Sequence, residues 1–486
     1  MKRNNSIGKN MVLYGIKNLM SLLFPLITFP YVSKTLSVDS LGKYNFCNSI
    51  IGYFSLLAAL GISSYAVREG AMIRDKKEKI GSFVKEIFSI NIISMILSYA
   101  LFFLSLIFVG KFASYRAILL VFSVQILFAT IGVEWIFGIY EDFLFVTVRS
   151  IVFQFVSLVL LVLFVKGEHD VLQYAFVTVF ANGGANILNL FYSKKFVRVG
   201  LTREINLKRH IKPILIIFAT AIACTIYVNS DITILGFLCT DYHVGIYSVS
   251  TKIYTIMKTL ASAVLMVSIP GLSYEIGQNN YTEYKVKLNS IFKILTVLMI
   301  PLVAGVIMLK EQIILILADE SYMHATTSLV ILSIALPVCL AATFAGQCVL
   351  LPLKKEKVVL YSTLISAGVN VVLNFVLIPH YQQDAAAFTT LLAELCAMVI
   401  QWYYVLKYLD LKSVCKTLVQ TLLGTVMIII VCISARVIVN MWIYVACSVF
   451  LSILGYGLVL LFLKNDVAVN ILGTLVHKVK VEKEEV

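Results

Sequence analysis

The chain has 486 residues, of which 60% are hydrophobic and only 14% charged, and its formal net charge is +14. A water-soluble protein of this length cannot bury so much apolar surface, so composition leaves an integral membrane protein. Nine scattered cysteines form no C-x-x-C pair and no disulfide framework, and read as small apolar residues.

A membrane-crossing helix needs about 20 apolar residues. Fourteen runs qualify: 11–33, 43–66, 86–109, 116–139, 143–165, 171–193, 213–237, 245–270, 290–316, 325–351, 358–378, 385–407, 416–439 and 442–463. The loops are short and no soluble domain is inserted. The basic N-terminus leads into a full-length span without a small-residue cleavage site, so no removed signal peptide is expected. The first helix is expected to end at Pro30–Lys34, followed by a short polar hairpin with Asp39 and Gly42. The second then runs to Gly61 and stops at Arg68–Glu69. It carries Asn45, Asn48, Ser49, Tyr53 and Ser55. Polar side chains at membrane depth are costly unless they face a cavity or a partner, so the first two helices are expected to line something wet.

Lysine and arginine fix the orientation. With the N-terminus inside, the inner segments hold 28 of the 40 basic residues, while the outer loops hold only Lys34, Lys43, Lys111, Arg116, Lys166 and Arg436. Both termini are therefore expected in the cytoplasm. The positive net charge is largely this inner-leaflet bias and does not point to nucleic acid. The basic stretch 194–212 divides the chain, giving an expected six-helix lobe at 1–193, a linker at 194–212 and a second six-helix lobe at 213–407. Helices 13 and 14 occupy 408–463 and a cytoplasmic tail 464–486. An echo crosses the linker: Leu41-Gly42-Lys43-Tyr44 is matched by Val244-Gly245-Ile246-Tyr247, and Ile50 by Ile253, at one offset of 203 residues. Such an echo fits a transporter of two pseudo-symmetric lobes with its substrate between them.

Pro25…Pro30-Tyr31-Val32-Ser33-Lys34-Thr35-Leu36, Gly42-x-Tyr44, Tyr53-Phe54 and Gly61-Ile62…Tyr65-Ala66-Val67-Arg68-Glu69 resemble the opening of bacterial lipid-linked oligosaccharide flippases. So do Asp231…Ile234-Leu235-Gly236, Val244-Gly245-x-Tyr247-Ser248 and Lys252-Ile253. These flippases form the polysaccharide-transport branch of the multidrug/oligosaccharidyl-lipid/polysaccharide (MOP) exporter superfamily. Lys34 stands where that family often has arginine. The resemblance implies a two-lobed transporter of about fourteen helices in the inner membrane. It would move undecaprenyl-diphosphate-linked oligosaccharide repeat units for O-antigen or capsule. A polysaccharide polymerase and glycosyltransferases are implied as partners.

An anionic diphosphate head needs a cationic, hydrated path, so basic residues within spans are the ones to weigh. Lys17 lies about 12 Å into the first span and Lys258 about 20 Å into the eighth. The competing reading of Lys17 is snorkelling to the surface. Asp231 and Lys252 sit at similar depth on consecutive antiparallel helices, and Glu134 could meet Arg149. Each pair is either structural or a gate. Glu394 has no evident partner, and as a lone carboxylate would be a coupling site for H+ or Na+, or a hydrogen-bonded neutral acid. Asn182, Asn186 and Asn189 share a helical stripe, as do Asn370 and Asn374. Inter-helix hydrogen bonding or sugar contact would each explain them. Gly183-Gly184 offers a bend. Arg68 and Glu69 either receive the diphosphate or anchor the helix, and Asn48 joins the cavity candidates.

The six histidines fall singly in loops or tails, without metal-ligand spacing, and no phosphate-cradling glycine loop with lysine occurs. No catalytic residue, metal or cofactor is expected, and the bilayer is the solvent. Two rivals remain: a drug/cation antiporter of the same superfamily, which would favour acidic cavity residues, and a membrane polysaccharide polymerase, which would need a large outer loop.

Overall fold

The computed structural model describes residues 24–470 throughout, with positions 15, 20, 472 and 473 besides. Every regular element among the described residues is a helix. Hydrocarbon offers the backbone no partners, and a helix satisfies its own N–H and C=O groups within one segment. The chain divides into two compact units, Met1–Ser248 and Val249–Val486.

In the first unit, helix α1 occupies residues 24–35 and α2 Val38–Ala59. The expected hairpin between them is not there. Only Leu36 and Ser37 are non-helical, and the Ser37 side chain caps α2 by accepting the Ser40 N–H. Asp39 and Gly42 consequently lie inside the first turns of α2, where a carboxylate suits the positive end of the helix dipole. At Leu60 and Gly61 the backbone turns left-handed, and the chain continues as α3 (Ile62–Ile73) past Arg68–Glu69, where an end was expected. Next come α4 (Lys77–Phe108) and α5 (Arg116–Ile131). A break at Gly132-Val133 leads to the short α6 (Glu134–Ile139), and α7 covers Phe143–Phe164. The sixth span is α8 (Val171–Val179) and α9 (Asn186–Ser193), joined by a π-helical turn, Phe180–Gly184, at the glycine pair. Helix α10 (Leu207–Leu238) starts on an Asn206 cap, inside the stretch taken from the sequence as linker.

The Gly-x-Tyr echo is a physical contact. Helix α11 (Asp241–Gly277) starts in the first unit, and its first turns lie against those of α2. A Cβ on Gly42 would collide with the Asp241 carbonyl, and a Cβ on Gly245 with the Val38 carbonyl. Asp241 is Val38 shifted by 203 residues, and Gly245 is Gly42 shifted by the same number. The approach is reciprocal, and it needs glycine on both sides because the backbones leave no room for a side chain.

The second unit carries the rest of α11, then α12 (Tyr281–Met308), α13 (Lys310–Leu317) and α14 (Ala325–Phe344), which runs into a π-helical turn at Ala345–Leu350. Helix α15 (Glu356–Val405) follows, then α16 (Leu411–Ser434) and α17 (Met441–Phe462). The 50-residue α15 holds two of the expected spans, because Gln382 breaks it with φ 45° and ψ −125°. Twelve described segments are long and apolar enough to cross a membrane. Counting the two halves of α15 separately gives thirteen, and the first span, of which α1 is the end, is described only in part. The chain is thus an all-α multi-pass membrane protein of about the expected number of spans.

Candidate functional site

In the first unit Ser49 and Tyr53 of α2 face α10. The Thr233 hydroxyl donates to the Asn229 carbonyl at 2.9 Å and lies 3.1 Å from the Ser49 hydroxyl and 3.3 Å from that of Tyr53. Part of the polarity read as lining a wet space is therefore spent on inter-helix hydrogen bonding. Asn48 is exposed. Between Asn229 and Thr233 in sequence on α10, the buried Asp231 accepts the Tyr247 hydroxyl at 2.9 Å. The second echo tyrosine thus binds an intramembrane carboxylate, while the first, Tyr44, donates to Thr178 at 3.0 Å.

The Glu134–Arg149 pair forms, at 3.7 Å between oxygen and nitrogen. Arg149 is 7% exposed and Glu134 43%. A guanidinium this deep needs more than one partner. It also donates to the Ala185 carbonyl and to Asn186 Oδ1, each at 3.3 Å, while its Nε has no hydrogen-bond partner among the described residues. The site exists because two helices are interrupted beside it. Helix α5 ends at Gly132, followed by Val133 at φ 36°, a strained value for a β-branched residue. The π-helical turn meanwhile swings the ladder of the sixth span. Asn186 and Asn189 turn inward to the carbonyls of Phe128 and Gly132, whereas Asn182, within the π turn, is exposed.

Lys258 and Glu394 meet in the second unit, their ammonium and carboxylate 3.4 Å apart. Glu394 is therefore not the lone carboxylate expected from sequence. The Tyr254 hydroxyl also reaches it at 3.4 Å, and the Lys258 ammonium lies 5.7 Å from the Tyr254 ring. The pair is asymmetric: Glu394 is 6% exposed, Lys258 35%. Lys258 lies 17 residues into α11, roughly 25 Å from its start, so the ammonium is deep in the span. Here a buried carboxylate holds in place a cation that is one-third open. Tyr254 precedes Lys258 by one helical turn and shares its face, a spacing that marks it as a partner only once Lys258 is known to be paired. Lys252, also on α11, is half-buried. Lys17 lies outside the described residues.

Arg68 is exposed and pairs with its neighbour Glu69 at 3.1 Å. Beneath it the Tyr65 hydroxyl meets His210 Nδ1 at 2.7 Å, and His210 Nε2 lies 3.2 Å from Glu86. His210, expected in a loop, is fully buried near the start of α10. Its neighbours Lys208, Arg209 and Lys212 concealed that from a reading based on charge. Glu86 also accepts the Asn206 N–H, so this cluster clasps the basic stretch to α3 and α4.

Residues 7–274, more than half of the chain, match the profile of the family described as Polysaccharide biosynthesis protein. The chain belongs to that family. Residues 216–376 also match the MatE family. Over 271 residues this family member is 23% identical to a protein named for O-antigen transport in Escherichia coli (strain K12). That overlap takes in 55% of this chain and 65%, just under two thirds, of the relative's length. Its fold is similar to that of the lipid II flippase MurJ in an inward closed conformation. The TM-score is 0.75 at 17% identity, covering 93% of this chain and 99% of that one. It is also similar to an inward-facing multidrug resistance MATE family transporter of the MOP superfamily, with a TM-score of 0.59 at 16% identity over 82% and 98% of the two chains. The fold of this polysaccharide biosynthesis protein is thus that of the MOP exporters. Lys258 falls within both family matches, whereas Glu394 lies beyond them.

Proposed function

We propose that this chain flips undecaprenyl-diphosphate-linked oligosaccharide repeat units across the cytoplasmic membrane by alternating access between two lobes, 1–193 and 213–407. The membership in a polysaccharide biosynthesis family on a MOP fold supports this reading. The observation that carries it is the Lys258–Glu394 pair, an ammonium one-third open yet deep in its span. Such a cation can be offered to a diphosphate, and when the anion leaves, the carboxylate takes the cation back. The balance between the two partners also gives a coupled proton or sodium ion a place to act. Arg149–Glu134 and the buried Asp231 are the gating candidates, while Asn48, Arg68, Lys17 and Lys252 are candidates for the substrate path. On this reading glycosyltransferases build the unit before it is flipped, and a polymerase acts after it.

The test uses cells that lack the gene but keep the glycosyltransferases. A membrane-impermeant sugar-modifying reagent reports which side the lipid-linked unit occupies. Units that accumulate protected from the reagent, and are relieved by the wild-type gene but not by Lys258→Ala, fit the reading. Single units already labelled from outside would mean that flipping is intact and the protein acts later. The MatE match favours one second reading, a cation antiporter. That reading requires drug or cation efflux that survives Lys258→Ala and fails in Glu394→Gln.

A further inference from the structure

The second unit contains a cavity of about 800 Å³ lined by none of the residues proposed for transport. It lies where α12 begins, beside the turn at 407–410, the start of α16 and residues 466–470 after α17. Helix ends mark the level where hydrocarbon gives way to headgroups. Three lysines line the cavity, Lys285, Lys293 and Lys407, against two aspartates, Asp410 and Asp466. Lys293 is held by Asp466 at 3.0 Å, and Asp410 is occupied in capping α16 through the Ser413 N–H. Lys285 and Lys407 have no ion-pair partner among the described residues. The lining as a whole keeps one net positive charge, with Ser290 and Ser413 contributing hydroxyl donors.

The charges do not stand in a wholly polar setting. Val286 in the lining is 59% exposed, and Leu406, Leu411 and Val469, each next in sequence to a lining residue, are close to half exposed. A basic recess bordered by exposed aliphatic side chains matches an amphiphile whose anionic head enters while its chains run along the protein. A soluble phosphate would need the lysines and none of the apolar border.

We propose that this cavity binds the headgroup of an anionic glycerophospholipid bearing one phosphodiester. Lys285 and Lys407 hold the phosphate, and the acyl chains lie over Val286, Leu406 and Leu411. The net charge of the lining suits a monoanion. The site is separate from the Lys258–Glu394 pair, so it stands or falls independently of the transported substrate.

Native mass spectrometry of the delipidated full chain in detergent tests the proposal, with dioleoylphosphatidylglycerol and dioleoylphosphatidylcholine as probes. The first phosphatidylglycerol should bind more tightly than phosphatidylcholine. The double variant Lys285→Ala/Lys407→Ala, checked for unchanged thermal melting, should weaken it about thirtyfold, from the usual worth of two lysines near an anionic lipid. Asp466→Asn frees Lys293 and should tighten binding roughly fivefold. Equal binding of the two lipids, or full phosphatidylglycerol affinity in the double variant, would overturn the assignment. Displacement by millimolar inorganic phosphate would also overturn it, by making the cavity a site for the free anion.

Discussion

The unequal burial of Lys258 and Glu394 makes a quantitative demand. Removing one partner of a buried ion pair ordinarily costs about 3–5 kcal/mol, because the other charge is left uncompensated. Here the two ends differ. Lys258→Met leaves a carboxylate that is 6% exposed, with the Tyr254 hydroxyl as its remaining hydrogen-bond donor at 3.4 Å. Part of the attraction was already screened, because the ammonium is 35% exposed. We therefore expect a loss of about 2–3 kcal/mol. Glu394→Gln leaves an ammonium that can hydrate from its open third and an amide that still accepts from Tyr254, so the loss should be about 1 kcal/mol. The double variant Lys258→Met/Glu394→Gln has no stranded charge and should recover most of the larger loss, a coupling visible only in the full cycle. Thermal unfolding in a fixed detergent, read by tryptophan fluorescence, gives the ranking of the four proteins. A Glu394→Gln protein less stable than Lys258→Met, or a double variant no better than the worse single, would refute the argument from burial.

Three other outcomes follow from particular contacts. Gly42→Ala and Gly245→Ala each force a methyl into a facing carbonyl, so each should cost about 2–3 kcal/mol or abolish accumulation in the membrane, while Gly457→Ala, with open space around it, should be neutral or stabilising by roughly 0.5 kcal/mol. Gln382→Gly should be neutral or stabilising by about 1 kcal/mol, because it relieves the positive φ at the break in α15, and Gln382→Val should destabilise in the same unfolding assay. In the loop before α8, the Asp170 carboxylate accepts the N–H groups of Lys166 and Gly167 at 2.8 and 2.7 Å, which hold its pKa below the usual carboxylate value. A depressed folded pKa means that the turn is fully latched above about pH 4 and is released as the pH falls below it, so the protection of amides 166 and 167 relative to their intrinsic exchange rate should be lost only there, and Asp170→Ala should remove it above that pH as well.

The membrane class and most spans were legible because hydrophobic run length answers directly to bilayer thickness, and the bend of the sixth span because of the glycine pair Gly183-Gly184. The pair Glu134–Arg149 was legible because a tight turn makes consecutive helices neighbours. The partner of Glu394 was not, for Lys258 is 136 residues away and no local pattern says which of many helices adjoin. The supposed hairpin at Asp39 failed for a local reason. Serine, aspartate and glycine in a row suit a turn and a capped helix start equally, and the Ser37 cap decided between them. The Asn182–Asn189 stripe failed because a π turn adds a residue to the ladder, and side-chain spacing read at 3.6 residues per turn then loses its phase.

The glycine approach between α2 and α11 has the form of an interface between two copies of one subunit. Residue 42 meets residue 241, and residue 245 meets residue 38, so each side presents the same patch to the other, as in an isologous dimer. Such an arrangement ties the two helices to a shared constraint. A larger residue on one side cannot be accommodated by drift on that side alone, because the obstruction is the facing helix's backbone.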